Sequence, residues 1–96
     1  MKLATYTQQP VEVKDYDIDY REWLAPMGDR IASVTHSIRN APDGALLVDS
    51  STFSIDHVKL WVRGGTDGAR YEVEVTVTTE GGRTDQSELV FKVKEI

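Results

Sequence analysis

The sequence predicts an all-β protein, one β-sandwich of seven to eight strands, and three observations carry that prediction. The first is residues 58–77, VKLWVRGGTDGARYEVEVTV, where Val58, Leu60 and Val62 alternate into a glycine-rich corner and Tyr71, Val73, Val75 and Val77 alternate out of it. Period-2 alternation on both sides of a corner is the pattern of two half-buried strands. The second is that turn signals recur at roughly the 8 to 12 residue spacing of sandwich strands. The third lies in the corner itself. Asp67, Ala69, Tyr71 and Val73 stand at the D-x-A-x-Y-x-C spacing that precedes the F strand of immunoglobulin-like domains, with valine where the cysteine would be. Such a tyrosine corner needs an aromatic body to fill the end of the core and a hydroxyl that reaches a nearby main-chain group. Asp67, Gly68 and Tyr71 are therefore the expected structural corner of an immunoglobulin-like sandwich.

Ninety-six residues suit a single domain of this kind. Sixteen acidic against eleven basic residues give a net charge of −5. A nucleic-acid binder needs a basic face to displace counterions from phosphates, and the sequence holds no Lys/Arg cluster to form one. The lack of a basic amphipathic helix argues equally against docking on an anionic membrane. No apolar run approaches the roughly 18 residues of a membrane span, and MKLATYTQQP lacks the apolar segment of a secretory signal, so synthesis in the cytoplasm is expected. Cysteine is absent, which rules out the inter-sheet disulfide of antibody domains and leaves the core to packing alone.

In chain order, residues 1–9 read as an N-terminal arm leading to an edge, and the sandwich occupies residues 10–96, starting at a proline that a central strand would not accept. VEVKDYDIDY, residues 11–20, alternates in two phases, Val11 and Val13 in one and Tyr16, Ile18 and Tyr20 in the other, with a bulge or break expected near Lys14. Asp15, Asp17 and Asp19 then share the solvent face. Their spacing resembles the start of a calcium loop, but Tyr20 stands where the glycine belongs and Pro26 where the closing glutamate belongs, so a solvated strand face is expected and no metal site. Trp23 and Leu24, before the turn residues Pro26 and Gly28, predict a short helical turn that drops one or both into the end of the core.

Ala32, Val34, His36 and Ile38 alternate as one face of a strand, and His36 reads as a hydrogen-bonded structural histidine. Residues 40–44, NAPDG, form a strong turn signal. ALLVDSSTFSI places Leu46 and Val48 in one phase and Phe53 and Ile55 in the other, as two short strands or one strand kinked at Ser50 and Ser51. The last hairpin allows a deduction about register. A two-residue turn at Gly81-Gly82 would set Tyr71, Val73 and Val75 against Lys92, Val90 and Glu88. A three-residue loop of Glu80, Gly81 and Gly82, with Gly82 left-handed, pairs Tyr71 with Phe91 and Val73 with Leu89 instead, and that is the expected register.

The residues supply no catalytic set. Gly64, Gly65 and Gly68 lack the spacing, lysine and following helix of a phosphate-binding loop, the serines lack a nucleophile elbow, and two isolated histidines without cysteine cannot close a zinc site unless carboxylates from elsewhere join them. No enzyme and no cofactor are expected. One group remains outside the core. With Val58, Leu60 and Val62 inward, Lys59, Trp61 and Arg63 share the outer face, either as a candidate protein interface or with Trp61 flat under a loop and the cations stacked on it.

Asp15-Tyr16, Trp23-Leu24, Gly28 to Ile31, Val58 through Trp61 to Gly68, Tyr71, and Thr78 to Asp85 together resemble the phage fiber-tail adaptor proteins, a family of small tailed-phage proteins, over about Pro10 to Val93. The resemblance implies an immunoglobulin-like virion component, without catalysis or cofactor, that joins a fibre or tailspike to the tail, neck or portal side in symmetric multiple copies. Two other readings stand beside it. A stand-alone ligand- or carbohydrate-binding module would want two or three exposed aromatics on one flat face with amide and acid partners, for which only Trp61 is a candidate; for a hydrolase accessory subunit no residue speaks.

Overall fold

The computed structural model describes residues 3–40 and 45–95. Seven strands form two sheets: β1 (Leu3–Gln8), β2 (Val13–Asp19), β3 (Ile31–Asn40), β4 (Leu46–Phe53), β5 (His57–Gly64), β6 (Arg70–Thr79) and β7 (Thr84–Val93). One sheet has the order β1-β7-β6-β3 and the other β2-β5-β4. The expected all-β, immunoglobulin-like sandwich is the fold observed. The body is elongated, 42 × 20 × 19 Å.

The core lies between the sheets. Tyr71, Val73, Val75 and Val77 of β6 with Leu89 and Phe91 of β7 face Val58, Leu60 and Val62 of β5, all of them fully buried. Each such side chain contributes roughly 1.5 to 3 kcal/mol through burial, which is how a domain without disulfides holds together. The β6–β7 register is the one the loop deduction requires, with Tyr71 opposite Phe91 and Val73 opposite Leu89. Gly82 is left-handed at φ 84°. The Thr79 N–H donates to the Arg83 carbonyl at 2.8 Å and closes the loop.

Residues 3–8, expected as an arm leading to an edge, run parallel to β7 as β1 and form that edge themselves. Gln8 is buried there; its Oε1 accepts from the Tyr16 hydroxyl at 2.7 Å. Tyr6 and Tyr16 pack ring to ring, 4.6 Å between centroids, and both reach Phe91.

Two local expectations need correction, and one open alternative is resolved. No bulge occurs near Lys14, since β2 pairs with β5 continuously from Val13 to Asp19. The break comes earlier, in a turn where the Glu12 N–H donates to the Gln9 carbonyl, and Val11 and Val13 are exposed rather than half-buried. Ala32 is also exposed, because a register shift between Ile31 and Ser33 puts Ile31 in the core and restarts the inward phase at Val34. Residues 46–53 make one strand, with a shift between Val48 and Ser50 that accounts for the change of phase. The turn signal at residues 40–44 falls largely outside the described residues.

Arg21–Leu24 is a single helical turn, α1, followed by a 3-10 turn over Ala25–Met27. It buries Leu24 fully and leans Trp23 on the core. His36 Nδ1 lies 2.8 Å from Ser51 Oγ on the facing sheet, a bond between the sheets made by the histidine in the apolar phase.

Candidate protein interface

Strand β5 is the centre of the three-stranded sheet, and its burial alternates residue by residue. Because Val58, Leu60 and Val62 are drawn into the core, Lys59, Trp61 and Arg63 project from the opposite face. Pairing supplies their neighbours. Across β2, Asp15 stands opposite Trp61, Asp17 opposite Lys59 and Val13 opposite Arg63. Across β4, Ser50 stands opposite Trp61 and Leu47 opposite Arg63.

Three large apolar side chains are thus exposed together: Trp61 at 39%, Leu47 at 43% and Val13 at 56%. Leu47 and Val13 flank Arg63, and Trp61 is the next outward residue along the same strand. The cations do not stand alone. Lys59 Nζ is 3.5 Å from Asp15 Oδ2, and Arg63 Nε donates to Asp49 Oδ1 at 2.8 Å. Exposed pairs of this kind contribute about 0 to 1 kcal/mol to stability; their effect here is to hold the two side chains toward the flanking strands, on either side of the indole. Further along the same face, a cavity of about 380 Å³ opens among Asp17, Phe53, His57 and Lys59. His57 Nδ1 lies 2.6 Å from Asp56 Oδ1.

Sequence pattern found Trp61 and its cations but missed Val13 and Leu47. The signal for both was present: Val13 shares the phase of Asp15 and Asp17, and Leu47 falls in the opposite phase to Leu46 and Val48, so each is an apolar residue on an outward face.

At the corner, Gly64 and Gly65 both have positive φ, 81° and 102°. A Cβ on Gly65 would lie 2.5 Å from Val93 Cγ2 and 3.3 Å from Tyr71 Cε2. Tyr71 is fully buried, and its hydroxyl accepts a hydrogen bond from the Thr66 N–H at 2.9 Å. The Gly68 N–H donates to the Val93 carbonyl at 2.8 Å, while Asp67 Oδ1 accepts from the Glu95 N–H at 2.9 Å. These bonds tie the corner to the end of β7.

Of the acidic residues expected on a solvent face, Asp15 and Asp19 have local partners. Asp19 accepts from the Arg21 side chain and N–H, which holds its carboxyl down at about 2. A polar cluster that pattern did not reveal sits at the far end. The Asp29 side chain, 5% exposed, accepts from the Gly81 N–H at 3.0 Å and from Arg83 Nη1 at 2.9 Å. A hydrogen bond from the Thr79 hydroxyl, then those from Arg30, Gly81 and Arg83, keep its carboxyl at about 2 despite its burial. Tyr20, buried, makes a 2.7 Å bond with Ser87 across the sandwich.

Fold and surface together define an immunoglobulin-like sandwich whose candidate site is an exposed sheet face. Two solved structures resemble it. The solution structure of the PKD domain from KIAA 1837 protein matches at a TM-score of 0.51 and 21% identity, over 98% of this chain and 79% of that one. A 2,6-sialyltransferase of Vibrionaceae Photobacterium sp. JT-ISH-224 matches at a TM-score of 0.57 and 10% identity; it covers 97% of this chain, which spans 17% of the sialyltransferase. At such identities the likeness is one of fold. No curated protein matches the sequence. Over residues 8–92 the chain matches the Gp77 family, described as podophage GP4 fiber-tail adaptor protein gp77, and it belongs to that family.

Proposed function

We propose that this domain is a non-enzymatic virion component, made in the host cytoplasm, that joins a fibre or tailspike to the tail or neck, and that Lys59, Trp61 and Arg63 form one of its two contact surfaces. The family supports the adaptor role. The observation that supports the surface is the exposure of Trp61 with Val13 and Leu47 on one outward sheet face. Tryptophan and arginine at the centre of such a patch are the residue types that dominate interface energetics. Lys59 and Arg63 can exchange Asp15 and Asp49 for carboxylates on a partner, giving direction to an otherwise apolar contact. In a symmetric particle the copies form a ring, each using one patch toward the tail and another toward the fibre.

Trp61→Ala tests this. The isolated domain should stay folded, with a melt within about 1 kcal/mol of the parent, while particles assembled with the variant lack this protein or lack fibres. If the variant unfolds, Trp61 is a core residue and the patch fails; if virions without the protein carry a full set of fibres, the adaptor role fails.

A further inference from the structure

The end of the larger sheet beside the corner holds a second charged group, which the ion-pair pattern of the whole molecule sets apart. Eight of the ten lysines and arginines among the described residues reach a carboxylate. Lys92 and Lys94 do not. Both flank the buried Val93, so both project outward, and Lys92 stands directly opposite Arg70 in the β6–β7 ladder. Like charges directly opposite each other in a sheet are destabilising. Arg70 is balanced by Glu72, 3.1 Å away, and the neighbouring Asp67 is engaged with the Glu95 N–H. Between Asp67–Arg70 and Lys92–Lys94 opens a cavity of about 400 Å³, with Asp67 in its lining beside the three cations.

We infer that this cationic end, Arg70, Lys92 and Lys94, is a docking site for an acidic segment of another virion protein. The inference rests on the adaptor reading only in taking the partner from the virion. Charge complementarity selects the occupant. Two ammonium groups without a carboxylate partner and an arginine outnumber the single acid in the cavity's lining, Asp67, and match a short run of carboxylates. A nucleic acid typically engages about 6 to 10 phosphates along a basic stripe, whereas this chain carries a net charge of −5 and three cations at one end. A second copy of the chain is a poorer match, because the aspartates of its β2 are interleaved with cations, Lys59 beside Asp15 and Arg21 beside Asp19, and present no uninterrupted run of carboxylates. The site lies on the other sheet from Trp61, so an adaptor would have chemically different contacts on its two sheets.

Titrating the isolated domain with hexaglutamate at low salt, followed by amide NMR, tests the site. Shifts should concentrate at Gly68–Arg70 and Lys92–Lys94, fade at about 0.5 M salt, where the screening length falls to a few ångströms, and weaken at least tenfold in the Lys92→Gln/Lys94→Gln variant. The same spectra verify that the variant is folded. Hexaglutamate binding that is absent, spread over the surface or unchanged in the variant overturns the inference. So does tighter binding at these amides by a single-stranded oligonucleotide or by phosphatidylserine vesicles, or a concentration-dependent shift there from self-association. None of these results bears on whether particles lacking the protein lack fibres, so the adaptor role stands or falls separately.

Discussion

The corner at residues 64–69 and the hairpin loop at residues 80–82 both reverse the chain with glycines, yet they use the residue for different reasons. In the hairpin, Gly82 is left-handed at φ 84° and a Cβ added there would meet nothing within 4 Å. Only backbone conformation requires glycine. In the corner, Gly65 has φ 102° and a Cβ would strike Val93 and Tyr71, so close packing requires it as well. Position 82 could take any residue that tolerates a left-handed backbone; position 65 is part of the core. A glycine-rich stretch thus has a local meaning where it projects and a tertiary one where it is covered.

Substitutions rank the two regions. Gly65→Ala should have the largest effect, about 2 to 4 kcal/mol in denaturant melts, by adding an overpacked methyl to a disfavoured φ. A loss below about 1 kcal/mol would mean that Val93 yields freely and that the corner is no more than a loop. Tyr71→Phe follows at about 1 to 2 kcal/mol, since the Thr66 N–H loses its acceptor; coincident melts would remove the hydroxyl from the account of the corner. Gly82→Ala should cost about 1 kcal/mol, and Gly82→Asn less, because asparagine tolerates the left-handed region. Equal costs for the two variants would show that the hairpin glycine is constrained by something besides φ.

A further effect is read as a pH dependence. The folded carboxyl of Asp29, at about 2, lies below its ordinary 3.8. A depressed value means that the folded state holds its proton less tightly than the unfolded one. Its stabilisation is complete above pH 4 and disappears as the pH falls through about 2. Asp29→Asn should therefore flatten the loss of stability between about pH 4 and pH 2, read from urea melts at fixed pH, while leaving the corner variants in the same order. A variant that loses stability over that interval as steeply as the parent would assign the titration to other carboxylates.

How much of this was legible in the sequence depended on whether an apolar residue lay where the pattern put it. The β6–β7 register could be deduced because one alignment pairs Tyr71 with Phe91 and the other does not. The start of β2 could not, because Val11 and Val13 are apolar and exposed, against the assumption that alternating valines face a core. Ala32 misled for a related reason: alternation cannot see a register shift that spends one residue between Ile31 and Ser33. On the candidate face, Trp61 followed from the phase of β5, while Leu47 and Val13 needed the neighbouring strands to be placed. The cationic end was implicit in the deduced register, since any alignment that puts Tyr71 opposite Phe91 also puts Arg70 opposite Lys92. Its cavity and the pairing of the other cations required the fold.

The parallel pairing of β1 with β7 also governs the order in which the domain can be completed. Residues 3–8 leave the ribosome well before residues 88–93, which receive them. Until then the opening strand has no sheet to join, and its Tyr6 has no Phe91 to pack on. Contacts that span nearly a whole chain are the slow ones in folding. Closure of this edge is therefore a late event in the folding of the domain, and a nascent copy passes through a stage in which β7 is still an open edge.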